Sequence, residues 1–526
     1  MRNFSQAGRS PVYAENGMVA TSHPLASAAA LEMLKSGGNA VDAAVSACAV
    51  LAVVEPHMTG IGGDCFAIVA EPDGALHGFN GSGRSAAGAE FDWYAGQGWT
   101  HIADTSPHAV TVPGAIDAWE QMLSRLGRKG LDAALSPAIN YAKNGFPLAP
   151  RVAFDLAALT DKLKRNEAAS AAYLKSGTAY AVGDRIVSPA LGQSLETIAA
   201  GGARAFYEGE IAADIAAAVQ AQGGFLNEAD LAAHRGFFNA PVSTPYQGHD
   251  IFELPPNGQG ITALIILNIL KAQRRIADPK SAERLHKQIE AAKLGYSVRD
   301  AFIADPAAMR VAVADLIDPA YGCLLSERIS ASGVLDRPEV AVPDADTVYL
   351  SVVDRDGMAC SLINSLFDGF GSGIMTQNTG IMLQNRGRCF TLEAGHPNAI
   401  GPGKLPLQTI IPGMAMKAGK PAISFGVMGG QYQACGHAHV LQNMLDYGLD
   451  PQASLDFPRA FWDATGALEL EEGWSQAVAE ALSAKGHRIV RSGKPHGGGQ
   501  IIAIDQQRGV LIGGSDPRKD GVAIGY

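Results

Sequence analysis

Asp346-Thr347-Val348-Tyr349-Leu350-Ser351-Val352-Val353-Asp354, then Arg355-Asp356-Gly357, then Met358-Ala359-Cys360-Ser361-Leu362-Ile363, is the stretch on which the fold turns. Two runs rich in β-branched and aromatic residues flank an Asp/Gly turn, which predicts a β-hairpin. A glycine-rich segment, Asp368-Gly369-Phe370-Gly371-Ser372-Gly373, follows it. At the head of the hairpin stands a threonine. Cutting the Asp346–Thr347 bond would make Thr347 an N-terminus, with a hydroxyl nucleophile and an α-amino base on one residue. An α-amino group with an ordinary pKa of about 7.7–8.0 is partly neutral at physiological pH. It can take the hydroxyl proton directly or through one water. The β-methyl of threonine restricts χ1 and holds the oxygen in place.

Working outward, 526 residues with 47% hydrophobic and 18% charged side chains describe a globular chain with a large core. A net charge of −11 speaks against nucleic-acid or anionic-membrane binding. The cysteines at 48, 65, 323, 360, 389 and 435 are scattered, with no C-x-x-C pair, which predicts reduced thiols in a cytoplasm. The first eleven residues lack the apolar core of a secretory signal, and no run of about 18 apolar residues predicts a membrane span.

The N-terminal third predicts a helix from Pro24 to Lys35 that stops at Gly37-Gly38, then a buried helix capped by Asn39 and running to Val54. A hairpin follows over Cys65–Ala70 and Ala75–Asn80. Helical periodicity dominates from 107 to 330, over Ala115–Leu126, Leu131–Asn144, Arg151–Leu163, Gln193–Ala200, Gly209–Ala221 and Lys280–Asp300. Residues 331–346 read as an exposed, irregular connector, which suits a processing site. Further strands are predicted at Pro421–Gly426, Gln500–Asp505 and Val510–Gly513, with a helix over His437–Tyr447. Hairpins at both ends with helices between them predict layered α/β sheets built largely from antiparallel pairs.

Amide cleavage at Thr347 also needs paired donors for an oxyanion, and Met428-Gly429-Gly430, just past a strand, offers two successive backbone N–H groups. Ser365, on the chain leaving the hairpin, is a candidate supporting hydroxyl; its other reading is an ordinary loop serine. No G-x-S-x-G, Rossmann, P-loop or H-E-x-x-H motif is present, so neither cofactor nor metal is expected. His437 and His439 read as ordinary surface or packing histidines, and the cysteines as buried hydrophobes.

The chain resembles the γ-glutamyltransferase family of N-terminal-nucleophile hydrolases over nearly its whole length. The matching stretches include Gly37-Gly38-Asn39-Ala40-Val41-Asp42-Ala43-Ala44, Val54-Glu55-Pro56-His57, Gly60-Ile61-Gly62-Gly63 and Val112-Pro113-Gly114. Asp346-Thr347, Phe370-Gly371-Ser372-Gly373, Gly429-Gly430 and Ser515-Asp516-Pro517-Arg518 continue the match in order. The resemblance implies a four-layer αββα sandwich, a precursor that cuts itself between Asp346 and Thr347, and one structural unit made from a large chain, 1–346, and a small chain, 347–526. It leaves open a dimer of that unit. It makes Thr347 the nucleophile and Gly429 and Gly430 the oxyanion donors.

The sequence departs from the family where the substrate is recognised. The family's carboxylate-binding arginine corresponds to Arg84, in altered surroundings; its ammonium-binding acid is replaced by Cys389, and the polar residue expected near Phe367 is missing. Gln408-Thr409 stands where a serine pair is usual. Arg84, Asn385, Arg386, Gln408 and Thr409 are therefore the expected substrate-binding residues, favouring a carboxylate over an amino group. The competing reading of Arg386 and Arg388 is a solvated loop pair. Through Asn385-Arg386-Gly387 the resemblance is nearest to the oxamate amidohydrolase subgroup, which implies a small carboxylate-bearing amide as substrate. A γ-glutamyltransferase or glutathione hydrolase and a glutaryl-type acylase are the other enzymatic readings; an uncleaved, inactive scaffold is the non-enzymatic one.

Overall fold

The structure is a computed structural model that describes residues 8–336 and 345–526, the first two residues of the second stretch by backbone alone. Most of the predicted connector thus lies outside the described residues; its first part, 331–336, is irregular and largely exposed.

The hairpin forms the middle of a seven-stranded antiparallel sheet. Ala345–Val353 pairs with Ala359–Asp368, and the sheet is completed by Val522–Gly525 and Met18–Thr21 on one side and Asp64–Ala70, Leu76–Gly81 and Phe237–Asn239 on the other. Its turn closes because Asp354 Oδ1 accepts from both the Asp356 and Met358 amides. A second seven-stranded sheet, ordered Val12–Ala14, Val510–Ser515, Gly498–Asp505, Lys420–Met428, Gly413–Lys417, His249–Glu253 and Val242–Tyr246, lies face to face with it. The two meet at Tyr349, whose ring packs so closely over Gly426 that a Cβ there would lie 2.3 Å from it, and at Ser351, whose hydroxyl donates to Ser424 Oγ. Alternating strand residues fill this interface.

Helices cover both outer faces. Pro24–Lys35, Ala40–Val54, Ala115–Leu126, Leu131–Asn144 and Pro189–Gly201 belong to the hydrophobic cluster on the hairpin's sheet. Gly260–Ala272, Ala282–Phe302 and Gln433–Leu441 join the cluster on the other. The Ala40–Val54 helix is buried at all its positions. Each fully buried Val or Leu there contributes roughly 1.5–3 kcal/mol. Its start is doubly fixed: Asn39 Oδ1 accepts from Val41 and Asp42 N, while Asp42 Oδ2 accepts from Asn39 N at 2.8 Å. Asp354 Oδ2 then takes the Ala40 amide at 3.0 Å, tying this helix to the central hairpin. The expected αββα sandwich is the observed fold.

Several elements differ from the sequence reading. The expected helix over 151–163 is broken at Leu159 into Pro150–Ala158 and Thr160–Leu163. Gly260–Ala272 was not predicted as a helix because its Ile/Leu-rich run has no polar face, and periodicity is silent where every side is buried. Of the surface and packing readings of His437 and His439, packing holds, since both are buried; His437 Nδ1 is 2.6 Å from Glu253, and its Nε2 accepts from Val427 N. Of the cysteines, four are buried, Cys389 is half-buried and Cys323 is exposed, and none is paired. Among the described residues no helix is long and apolar enough to cross a membrane.

Candidate active site

Thr347 is fully buried and sits at an irregularity in the hairpin. Asp346 faces Phe367 and Val348 faces Asn364, so the partner strand carries one extra residue opposite Thr347. Such a bulge re-aims side chains. Here it brings Ser365 Oγ to 3.0 Å from Thr347 Oγ1. The Ser365 oxygen also accepts the Phe367 amide at 2.8 Å. Phe367 itself has φ of +81°, a conformation that costs a bulky residue about 1–3 kcal/mol and persists only where neighbours impose it. The glycine run before Asp64 is explained at the same place, since a Cβ on Gly63 would lie 2.2 Å from the Ser365 carbonyl.

Gly429 and Gly430 follow the Lys420–Met428 strand with φ of +116° and +51°. A Cβ on Gly429 would come within 2.8 Å of Gly497 Cα, so this turn excludes any other residue. Gln259 holds the turn: its Nε2 donates to the Gly430 carbonyl at 3.0 Å and to the Thr409 carbonyl at 2.7 Å, and Arg299 Nη1 donates to its Oε1 at 2.8 Å. Thr347 and Gly429 share the wall of one cleft of about 330 Å³, with Met58, Asp155, Trp462 and Lys519 among the other walls.

Behind Phe367 lies a closed group of polar side chains. Arg386 is fully buried, so it is not a solvated loop residue. Its guanidinium lies 4.3 Å from the Phe367 ring centroid, and Nη1 donates to Thr409 Oγ1 at 2.7 Å. Nε and Nη2 have no hydrogen-bond partner among the described residues. Burial pulls the Arg386 pKa down, opposed by the Cys389 thiol and Asp64. Asp64 accepts from the Gly83 and Gly114 amides, from Gln384 Nε2 and from Gln408 Nε2. Burial nevertheless raises its pKa to about 6, against Arg386 and these hydrogen bonds. Asn385 is engaged with Asp368 Oδ2 at 2.7 Å and the Asp104 carbonyl, and Arg388 closes on the same Asp368 oxygen.

Thr347, Ser365, Gly429 and Gly430, and separately Arg386, Gln408 and Thr409, are thus assembled around one strand end. Arg84 stands apart: its side chain is half exposed, Nη1 donates to the Gly403 carbonyl at 2.9 Å and lies 3.5 Å from Asp305, and it does not wall the Thr347 cleft. The Asp346 side chain lies outside the described residues. Sequence reasoning missed Asp64 and Gln259. The signal for Asp64 was an acid directly after a glycine run and at the head of an apolar strand; Gln259 had none.

Opposed antiparallel sheets between helical layers, with a threonine at the head of an inner strand, define the N-terminal-nucleophile hydrolase class. The gamma-glutamyltranspeptidase family model matches residues 26–526, and the chain belongs to that family, whose members are amide hydrolases and transpeptidases. It is 39% identical to the glutathione hydrolase-like YwrD proenzyme of Bacillus subtilis (strain 168), covering 97% of this chain and 98% of that protein. It is 34% identical to the oxamate amidohydrolase proenzyme of Klebsiella pneumoniae subsp. pneumoniae, over the same shares of both. The cephalosporin acylase from Bacillus halodurans superposes with a TM-score of 0.93 at 38% identity, covering 100% of this chain and 98% of its own. Overall identity is higher to the YwrD proenzyme than to the oxamate enzyme, so it does not carry the narrower oxamate expectation.

Proposed function

We propose that the chain is a self-processing amidohydrolase whose nucleophile is Thr347 and whose substrate is a small amide carrying a carboxylate on its acyl part. The observation that supports this most is the 3.0 Å contact between the Ser365 hydroxyl and that of Thr347, which walls one cleft together with Gly429.

In the processing step, Thr347 Oγ1 attacks the Asp346 carbonyl carbon. The peptide C–N bond breaks, the nitrogen keeps its electron pair and gains the hydroxyl proton, and water then hydrolyses the resulting ester. The chains 1–346 and 347–526 result. The freed α-amino group then takes the Oγ1 proton as Oγ1 attacks the substrate amide, the Gly429 and Gly430 N–H groups stabilise the oxyanion, and the protonated amine leaves. Water releases the acyl group.

The acyl carboxylate is assigned to Arg386, held by Thr409, with Asn385 and Gln408 fixing the surrounding acids and Arg84 at the periphery. A buried guanidinium with two unanswered nitrogens favours an anion there. An ammonium group finds the neighbouring acids engaged, Asp64 by four donors and Asp368 by Arg388 and Asn385. That favours oxamate-like or glutaryl amides over γ-glutamyl ones. Likeness to the cephalosporin acylase supports the acylase alternative, and likeness to the YwrD proenzyme the glutathione-hydrolase one. The unpaired cysteines suit a reducing cytoplasm.

A denaturing gel should show two bands for the wild type and one for Thr347→Ala. The processed protein should turn over oxamate or a glutaryl anilide faster than a γ-glutamyl anilide. A single wild-type band without amidase activity sinks the enzyme reading in favour of a scaffold; efficient γ-glutamyl turnover alone sinks the carboxylate-only acyl site.

A further inference from the structure

The Thr347 cleft contains a cation that the reaction above does not use. Lys519 follows Ser515-Asp516-Pro517-Arg518 on the turn before the last strand, and its side chain is 3% exposed. Its ammonium has three donors. One goes to the Met58 sulfur at 3.3 Å, a weak acceptor. The carboxylate beside it, Asp155 Oδ2, is 3.8 Å away, and that oxygen already serves Arg151 Nε at 2.8 Å and His57 Nε2 at 3.2 Å.

The adjacent cation shows what full satisfaction looks like. Arg518 meets Glu471 and Asp516 and donates to the Leu455 and Phe457 carbonyls. Lys519, one residue on, is more deeply buried and has nothing comparable. A desolvated ammonium without good acceptors is unfavourable unless a partner arrives. Lys519, Met58 and Asp155 all wall the cleft that holds Thr347 and Gly429. Phe461 and Trp462, stacked with ring centroids 4.1 Å apart, wall the same cleft. Arg386 is not part of this wall.

We propose that Lys519 is an anion-binding subsite for the leaving amine: the preferred substrate carries a second carboxylate on the nitrogen side of the scissile amide, on a flat or apolar frame that rests against Phe461 and Trp462. This rests on the reading that the acyl carboxylate goes to Arg386. The substrate is then an amide with an anion on each side of the bond being cut, and Lys519 decides which amines depart from it.

The test uses processed enzyme and two anilides with the same acyl group, one releasing 4-nitroaniline and one 3-carboxy-4-nitroaniline. One charge-assisted hydrogen bond predicts a preference of about tenfold or more in kcat/KM for the carboxylated anilide. Lys519→Met should bring that ratio to about one while changing the plain anilide by less than about threefold, and Lys519→Arg should restore most of it. A preference that persists in Lys519→Met, or is missing in the wild type, overturns the proposal. Calorimetric binding of 3-carboxy-4-nitroaniline itself reads the subsite without turnover. It should weaken about tenfold in Lys519→Met; equal binding by both proteins overturns the subsite. If neither anilide is cleaved but this binding still falls, the hydrolase reading has failed and the subsite stands.

Discussion

Two buried cations near Thr347, each proposed to bind a carboxylate, sit in opposite surroundings. Arg386 lies in a closed group where Phe367, Thr409 and Asp64 fix its position, whereas Lys519 walls an open cleft beside a sulfur and an already shared carboxylate. A planar guanidinium in a closed polar group selects by shape as well as charge, because its donors form a rigid fork. An ammonium on a flexible stem at a cleft wall selects by charge alone. The acyl side should therefore be exacting and the amine side tolerant, with Thr347 between them in function.

The largest effect comes from removing the group both sides serve. Thr347→Ala should leave a single uncut chain and lower amidase activity by at least about 10⁴-fold, read by gel and by product release. Next, Arg386→Lys keeps the charge but loses the fork. We expect kcat/KM for a carboxylate-bearing acyl group to fall about 10–100-fold while a neutral acyl amide is little affected. Equal losses on both would break the distinction between an exacting and a tolerant side. Ser365→Ala removes the hydroxyl that Thr347 touches, and the processing half-time should lengthen about tenfold on a gel time course.

The smallest effect concerns pH. Burial raises the Asp64 pKa from the ordinary 3.8 to about 6, so the folded state holds this proton more tightly than the unfolded one. Its contribution to stability is fully present below about 3.8 and is lost as pH rises through about 6. Asp64→Asn removes that titration, so its melting temperature should fall less than that of the wild type between pH 4 and 6.5. Parallel melting curves would show that Arg386 and the four donors already hold the carboxylate ionised.

How much of this was legible in advance depended on how local each cause was. Asn39 capping Ala40–Val54 and the Asp354 turn of the hairpin follow from side chains bonding the backbone within four residues, and both stood in the sequence. The helix over Gly260–Ala272 did not, because burial on every side erases the polar face that marks a helix. Within the site, Thr347 and the Gly429–Gly430 pair drew their weight from the family resemblance, because a threonine heading a strand and a glycine pair after one are common by themselves. Arg84 was placed by resemblance to a motif, yet its guanidinium turns to Gly403 and Asp305.

By itself, then, the sequence determined the central hairpin, its threonine head and the glycine turn, which depend on residues close along the chain, and the family, which short motifs spaced along nearly the whole chain carry. Only the tertiary structure decided which cations are satisfied and which are not. Arg518 and Lys519 are neighbours in sequence with the same charge, but one folds against Glu471 and Asp516 while the other meets a sulfur and a shared carboxylate. Apart from Asp516, the acceptors of Arg518 lie 47 to 63 residues away, and the neighbours of Lys519 are hundreds of residues distant, so no local pattern records the difference.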